Sequence, residues 1–266
     1  MNILITNDDS FNAKGIRALA DIMKQYGNIA VIAPSQVQSG MSMAVSLNAE
    51  KIKFTELSST THLDRNGKEC TQRWGALDAT PASCVKFGLS SEWLGWIPDV
   101  VVSGINHGAN TATASCYSGT LGAAAEAAIN HILGIGVSLC SHDADSDFSA
   151  VEKFFPSIFE KLFEAPRPNF MTYYNVNFPD TKAEEIRGAR TGYMGRGRWV
   201  KEFKLIEPDN GSGESTYRMT GDFVSDSCNT DEADHILTDN NYISIVPHTL
   251  DSTDYAQLKI LDGIDF

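Results

Sequence analysis

The chain has 266 residues, 42% of them hydrophobic and 21% charged, which is enough to bury a full core without disulfide or metal staples and excludes a disordered composition. Twenty-one Lys and Arg against 34 Asp and Glu give a formal net charge of −13, which excludes a basic footprint for nucleic-acid backbone and disfavours an anionic membrane surface. A small anionic substrate stays open, because a bound divalent cation inverts the local charge.

The opening residues hold no basic region followed by a long apolar run, so no signal peptide is expected, and no stretch of about 18 apolar residues predicts a membrane-spanning helix. The five cysteines, Cys70, Cys84, Cys116, Cys140 and Cys228, are widely spaced and form no C-x-x-C. That pattern points to reduced thiols acting as small core hydrophobes in a cytoplasmic protein.

Ile3-Leu4-Ile5 is an apolar run ending at Asn7-Asp8-Asp9 and reads as a buried strand. Ile16, Leu19, Ala20, Ile22 and Met23 recur at helical spacing over residues 14–26, and Ile29 to Ala33 form the next strand, stopped by Pro34. This strand–helix–strand unit builds a parallel sheet, and its right-handed crossover puts both strand ends on one edge. Asp8-Asp9 and the loop Pro34–Gly40 are therefore expected at one crevice, where open α/β sheets bind ligands.

Residues 45–54 read as extended, and the polar stretch 56–72 with Asn66-Gly67 as a hairpin or excursion. Thr80 is an N-cap with Pro81 at the first helical position, predicting a helix to about Gly88. Pro98 to Val102 is a third buried strand, running into Ser103-Gly104-Ile105-Asn106. Thr120–His131 reads as an Ala-rich helix, Gly136–Cys140 as a strand, Val151–Phe163 as a helix and Tyr173–Phe178 as a strand. Past residue 180 the rhythm changes: Gly192–Gly221 looks like β-hairpin structure, Asp231–Thr238 like a short helix, and Ile243–Val246 like a last strand. The fold class is α/β, with residues 1–180 a doubly wound, mostly parallel core and residues 181–266 a β-rich extension suited to oligomerisation.

Two adjacent carboxylates at a strand end repel each other, and a cation between them lets both stay ionised. Oxygen ligands favour Mg²⁺, Mn²⁺ or Ca²⁺; the competing reading is that Asp8 or Asp9 caps the following segment. Ser39 offers a hydroxyl from the neighbouring loop, or is an ordinary loop serine. Asn106 offers an amide oxygen beside the flexible Ser103-Gly104 backbone, or satisfies its own turn. Ser118-Gly119-Thr120 open the Ala-rich helix, whose free amides and dipole suit an anion, with Ser118 equally readable as a plain N-cap. All of these follow parallel strands on one sheet edge, which assembles a hard-metal site beside a phosphate site and predicts metal-assisted phosphoryl hydrolysis by an activated water. His107 is the one histidine expected near the crevice, in a structural or solvent role. The Walker, nucleophile-elbow and zinc-helix motifs are absent. Gly192-Tyr193-Met194-Gly195-Arg196-Gly197 precedes no helical pattern and is not a dinucleotide fingerprint.

Thr6-Asn7-Asp8-Asp9, Lys14-Gly15-Ile16, Ala33-Pro34 leading to Ser39-Gly40, Ala79-Thr80-Pro81, Val102-Ser103-Gly104-Ile105-Asn106-His107-Gly108-Ala109-Asn110, Tyr117-Ser118-Gly119-Thr120, Asn175-Val176-Asn177-Phe178-Pro179 and Thr230-Asp231 together resemble the SurE family, the stationary-phase survival nucleotidases. The resemblance implies a Rossmann-like core and a phosphatase of nucleoside 5′-monophosphates, often extending to 3′-nucleotides and short polyphosphate. It implies one divalent ion (Mg²⁺ or Mn²⁺) per subunit on Asp8, Asp9, Ser39 and Asn106, of which Asp8, Asp9 and Asn106 are expected to be catalytic. Asn7, Gly40, Ser103, Gly104, Asn110, Ser118, Gly119 and Thr120 are expected around the phosphate and substrate. Homodimers or homotetramers built through the C-terminal extension are implied, with a small nucleotide substrate, no stable nucleic-acid binding and no membrane partner. Ser10 stands where the family usually has Gly, Ala79 where Gly precedes Thr-Pro, Ser83 where an acid is usual, and His248 where Leu is frequent; none removes a metal ligand. Direct attack by an aspartate is disfavoured because the spacing Asp-x-Asp is missing. The alternative is a Rossmann-like module that senses a nucleotide or phosphate without hydrolysing it.

Overall fold

Side chains along the first strand point alternately to two different cores. In the computed structural model, which describes every residue except 48, 144, 168, 170, 265 and 266, Ile3 and Ile5 of β1 (Asn2–Thr6) enter one core and Leu4 enters the other. The same division holds in β2 (Asn28–Pro34), where Ile29, Val31 and Ala33 oppose Ala30 and Ile32. An unbroken apolar strand buried on both faces is what a helix-covered parallel sheet requires.

The remaining strands are β3 (Phe54–Leu63), β4 (Glu69–Leu77), β5 (Val100–His107), β6 (Leu133–Leu139), β7 (Thr172–Phe178), β8 (Ala189–Thr191), β9 (Gly197–Val200), β10 (Phe203–Glu207), β11 (Thr216–Met219), β12 (Asp222–Ser225) and β13 (Ile243–Thr249). The helices are α1 (Lys14–Met23), α2 (Pro81–Ser90), α3 (Gly119–Ile129), α4 (Ser149–Glu164), α5 (Asp234–Asp239) and α6 (Tyr255–Leu261). Nine strands form one sheet in the order β3-β4-β2-β1-β5-β6-β7-β13-β8. Its six central strands, β4 through β7, are all parallel. Counted in chain order they run 3-2-1-4-5-6, the doubly wound Rossmann arrangement, with the strand order reversing between β1 and β5. Helices α1 and α4 cover one face, and α2 and α3 the other.

Several sequence expectations shift. The described residues of 45–53 form no strand, and the extended run begins at Phe54. The polar stretch is a true hairpin, turned by Asp64, whose carboxylate accepts the Asn66 and Lys68 amides at 2.8 and 2.9 Å. Its second strand pairs parallel with β2, so this hairpin widens the main sheet. The Ser103–Asn106 block does not follow its strand but lies inside β5, with a register shift between Ser103 and Asn106. The helix expected to reach residue 26 is α up to Met23 and 3₁₀ over Lys24–Tyr26. The segment after residue 180 is only partly an appendage, because β8 and β13 complete the nine-stranded sheet while β9–β12 form two separate two-stranded sheets. Cys70 and Cys84 are buried, but Cys116 and Cys228 are exposed, and all five thiols are free. No described helix is long and apolar enough to cross a membrane.

Candidate metal and phosphate site

The strand-order reversal opens a crevice at the carboxyl ends of β1 and β5, and Asp8 and Asp9 leave β1 directly into it. Asp8 is 4% exposed, and its Oδ1 accepts the Thr120 hydroxyl at 2.6 Å. Burial pushes its carboxyl up to about 6, with Asp9 adding to the shift and Thr120 opposing it. Asp9 is half-buried and accepts the His107 backbone N–H at 3.2 Å; burial raises its carboxyl as well. Two neighbouring carboxylates that both resist ionisation make a local demand for positive charge.

Helix α3 meets this pair head-on. Its Ser118 N-cap accepts the Leu121 N–H at 3.1 Å, so the capping reading of Ser118 holds. A Cβ on Gly119 would stand 2.9 Å from Asp8 Cβ and 3.1 Å from Asp8 Oδ2. Only glycine lets the positive end of the helix come so close to the carboxylate. Thr120 was expected at phosphate; its hydroxyl is spent on Asp8 instead.

The loop after β2 is pinned to the same place, because the Gln38 N–H donates to Asp8 O at 2.7 Å. Ser39 and Gly40 stand exposed on that loop. From the other strand, Asn106 donates its Nδ2 to Gly108 O at 2.8 Å, which leaves Oδ1 with no hydrogen bond among the described residues. Polar atoms that are buried and unpaired lie beside the aspartates: Asn7 Oδ1, next to them in the chain, and Ser103 Oγ, on the strand that pairs with β1. Asn7 Nδ2 is used on Ser10 O at 2.9 Å. Orphaned buried oxygens are costly unless something binds them.

This donor set fits a hard divalent cation: two carboxylates, a hydroxyl, an amide oxygen and no sulfur or imidazole. Among the described residues, no group of three or more His, Cys, Asp and Glu could hold a metal, so any ion here depends on the neutral oxygens beside Asp8 and Asp9.

Asn110, expected near phosphate, is engaged elsewhere. Its N–H donates to Asn177 Oδ1 and its Nδ2 to Ser138 Oγ, both at 2.8 Å, while its carbonyl accepts Asn175 Nδ2 at 2.8 Å. Asn177 Nδ2 closes this buried network on Asn175 Oδ1 at 2.8 Å, tying the loop after β5 to β7. The signal for it is in the sequence, as two polar residues two apart inside the apolar run Tyr173–Phe178. The His107 ring packs edge-on against Phe148 with Nδ1 beside Asp143 O, so its backbone serves the site while its ring supports the wall.

Comparison with known proteins gives the same picture. The family model described as "Survival protein SurE" matches residues 3–201. The chain is 35% identical over 265 residues to the 5′-nucleotidase SurE of Christiangramia forsetii, covering 98% of this chain and 95% of that one. It is 33% identical over 264 residues to the 5′-nucleotidase SurE of Flavobacterium psychrophilum, covering 99% and 97%. Among solved structures it resembles the SurE protein from Aquifex aeolicus, with a TM-score of 0.77, 27% identity and 98% of each chain covered. The sheet order, the paired aspartates and these matches agree, and the chain belongs to the SurE family.

Proposed function

We propose that this chain is a divalent-metal-dependent phosphohydrolase that removes phosphate from nucleoside 5′-monophosphates. The observation that carries the reading is the crowding of Asp8 and Asp9, both held above the usual carboxylate range, against the amino end of α3. Relatives matched over nearly their full length are 5′-nucleotidases by name.

Asp8, Asp9, Ser39 and Asn106 would hold one Mg²⁺ or Mn²⁺. When bound, the ion supplies the positive charge that polarises the phosphoryl group and lowers the pKa of the attacking water. Thr120 fixes the rotamer of Asp8, and the His107 N–H fixes Asp9. The Gly119 amide, at the positive end of α3, faces the phosphate oxygens, with Ser103, Gly104, Asn7 and Gly40 completing the cradle, while the Thr120 hydroxyl and backbone N–H both support Asp8. With its nitrogen committed to Gly108, Asn106 would offer its oxygen to the ion. A non-hydrolytic sensor has no use for this costly carboxylate pair.

The chain assembles through its exposed C-terminal apolar surfaces into a homodimer or homotetramer, and its unpaired cysteines suit the cytoplasm. Asp8→Asn and Asp9→Asn test the reaction: phosphate release from AMP or GMP with Mg²⁺ or Mn²⁺ is expected to fall at least about 10³-fold. Near-normal turnover in folded variants defeats the reading. A panel of 5′- and 3′-monophosphates and short polyphosphate against each metal ranks the substrates.

A further inference from the structure

The run Gly195-Arg196-Gly197-Arg198 borders a cavity of about 470 Å³ whose lining also includes Thr113, Ser225 and Asp226. None of Asp8, Asp9, Ser39 or Asn106 belongs to it. The alternation has a physical cause. A Cβ on Gly195 would overlap the His235 ring, and one on Gly197 the Phe223 ring. The rings fill the space beside both glycines, and the two arginines border the cavity.

That backbone is clamped. The Gly195 N–H donates to Asp234 Oδ1 at 2.9 Å, and Asp234, fully buried, also accepts the Ala112 N–H at 2.9 Å. The Arg196 N–H donates to Asn229 Oδ1 at 2.9 Å, and the Arg196 carbonyl accepts Asn229 Nδ2 at 2.6 Å. Thr113 Oγ1 donates to Gly197 O at 2.9 Å. Two guanidiniums are thus presented on a fixed frame. Although the chain carries a net −13, neither forms an ion pair within 4.0 Å among the described residues; the Arg196 head lies 3.8 Å from Cys228 Sγ, and, after the Cys228 N–H, both arginines help to hold the Asp226 carboxyl below its usual range from farther away. Asp226 is the one carboxylate in the lining, leaving one unit of positive charge in excess.

We propose that this cavity is a second ligand site, taking a nucleotide. Arg196 and Arg198 match the planar, bidentate geometry of a phosphate, and Asp226 accepts from the ribose hydroxyls. Thr113 lies in the 3₁₀ segment Ala112–Tyr117, which runs into Ser118 and α3, so a ligand here touches the element that carries the amino end of the phosphate helix.

The test is equilibrium dialysis of the full chain with AMP, pyrophosphate and adenosine in EDTA. Without a cation, the Asp8–Asp9 crevice repels phosphate, so binding reports the second site alone, independently of the reaction assigned to the crevice. The unaltered chain is expected to bind AMP more tightly than pyrophosphate, and adenosine weakly. Arg196→Ala/Arg198→Ala is expected to weaken AMP binding at least about tenfold while Mg²⁺-dependent turnover of p-nitrophenyl phosphate stays at the unaltered rate. Arg198→Glu, on an exposed strand position, gives the same answer should the double variant misfold. No AMP binding in EDTA, or binding indifferent to these arginine substitutions, overturns the proposal. Pyrophosphate binding as tightly as AMP overturns the nucleotide assignment.

Discussion

In β1, β2 and β5 nearly every residue is buried, whereas every residue of β10 and β11 is exposed and α6 buries none. The two regions differ little in apolar content: β10 and β11 present Phe203, Leu205, Ile206, Tyr217 and Met219, and α6 presents Tyr255, Leu258, Ile260 and Leu261. They differ in whether a facing layer covers them. The central strands have helices on both sides, and the late elements stay exposed among the described residues of one copy. Large apolar patches left in that state mark surfaces meant to be covered. The crevice shows the converse arrangement, with polar and charged groups buried where an apolar core would be more stable. The proposed function would fill both: a second copy over the apolar surfaces, and a cation with phosphate in the crevice.

The largest effect is expected where the apolar surface is spoiled. Phe203 and Met219 sit opposite each other in the β10–β11 register and are 67% and 69% exposed. If they anchor a neighbouring copy, each contributes about 2 kcal/mol of burial, and Phe203→Ser with Met219→Ser weakens association by about 10³-fold. Sedimentation velocity is expected to show a smaller species with normal far-UV circular dichroism. An unchanged mass would remove this hairpin from the interface.

A second, smaller effect belongs to the crevice. Burial raises the folded-state carboxyl of Asp8 to about 6, from the ordinary 3.8, so the metal-free native state holds that proton more tightly than the unfolded chain does. Its contribution therefore favours folding below about pH 4 and is lost as pH rises to about 6, a change of about 3 kcal/mol. Urea titrations in EDTA at pH 5 and 7 are expected to show the unaltered chain losing stability across that interval relative to Asp8→Asn. Asp8→Asn is expected to be the more stable protein at pH 7 without metal. Parallel pH profiles for the two proteins would mean that Asp8 is better solvated than its burial implies.

Much of this was legible in the chain itself. The apolar runs at Ile3, Ile29 and Val100 announce strands buried on both faces, and their order places Asp8, Asp9 and the Ser39 loop at one edge. The hairpin strands were harder to read, because β3 is an exposed edge strand with no hydrophobic alternation. The Ser103–Asn106 block reads as lying beyond its strand because polar residues and glycine usually end one; burial of Ser103 and Asn106 inside β5 runs against that habit. Within the site, residue types named the chemistry, but partners assigned the roles. Sequence position puts Thr120, Ser118 and Asn110 together around phosphate, yet their hydrogen bonds go to Asp8, the Leu121 N–H and the Asn network. Those choices depend on ångström-level distances that spacing along a chain does not encode.

The smallest effect lies in the loop that joins these carboxylates to α1. Ser10 has φ +83°, in the left-handed region where a side chain costs about 1–2 kcal/mol. The surroundings enforce it: the Ser10 carbonyl accepts Asn7 Nδ2 at 2.9 Å and the Ala13 N–H at 3.2 Å, so the loop cannot relax without losing both bonds. Ser10→Gly relieves the strain but gives the unfolded chain more freedom, about 0.4–1 kcal/mol in the opposite sense. The net expectation is a gain of about 0.5–1 kcal/mol, read as a higher urea midpoint with an unchanged slope. Phosphate release is expected to be unaltered, since both hydrogen bonds are made by the backbone of residue 10. A gain in stability accompanied by lost turnover would show instead that the strained serine helps to hold Asp8 and Asp9 at their working separation, and that the crevice, unlike the C-terminal surfaces, stores its instability for use.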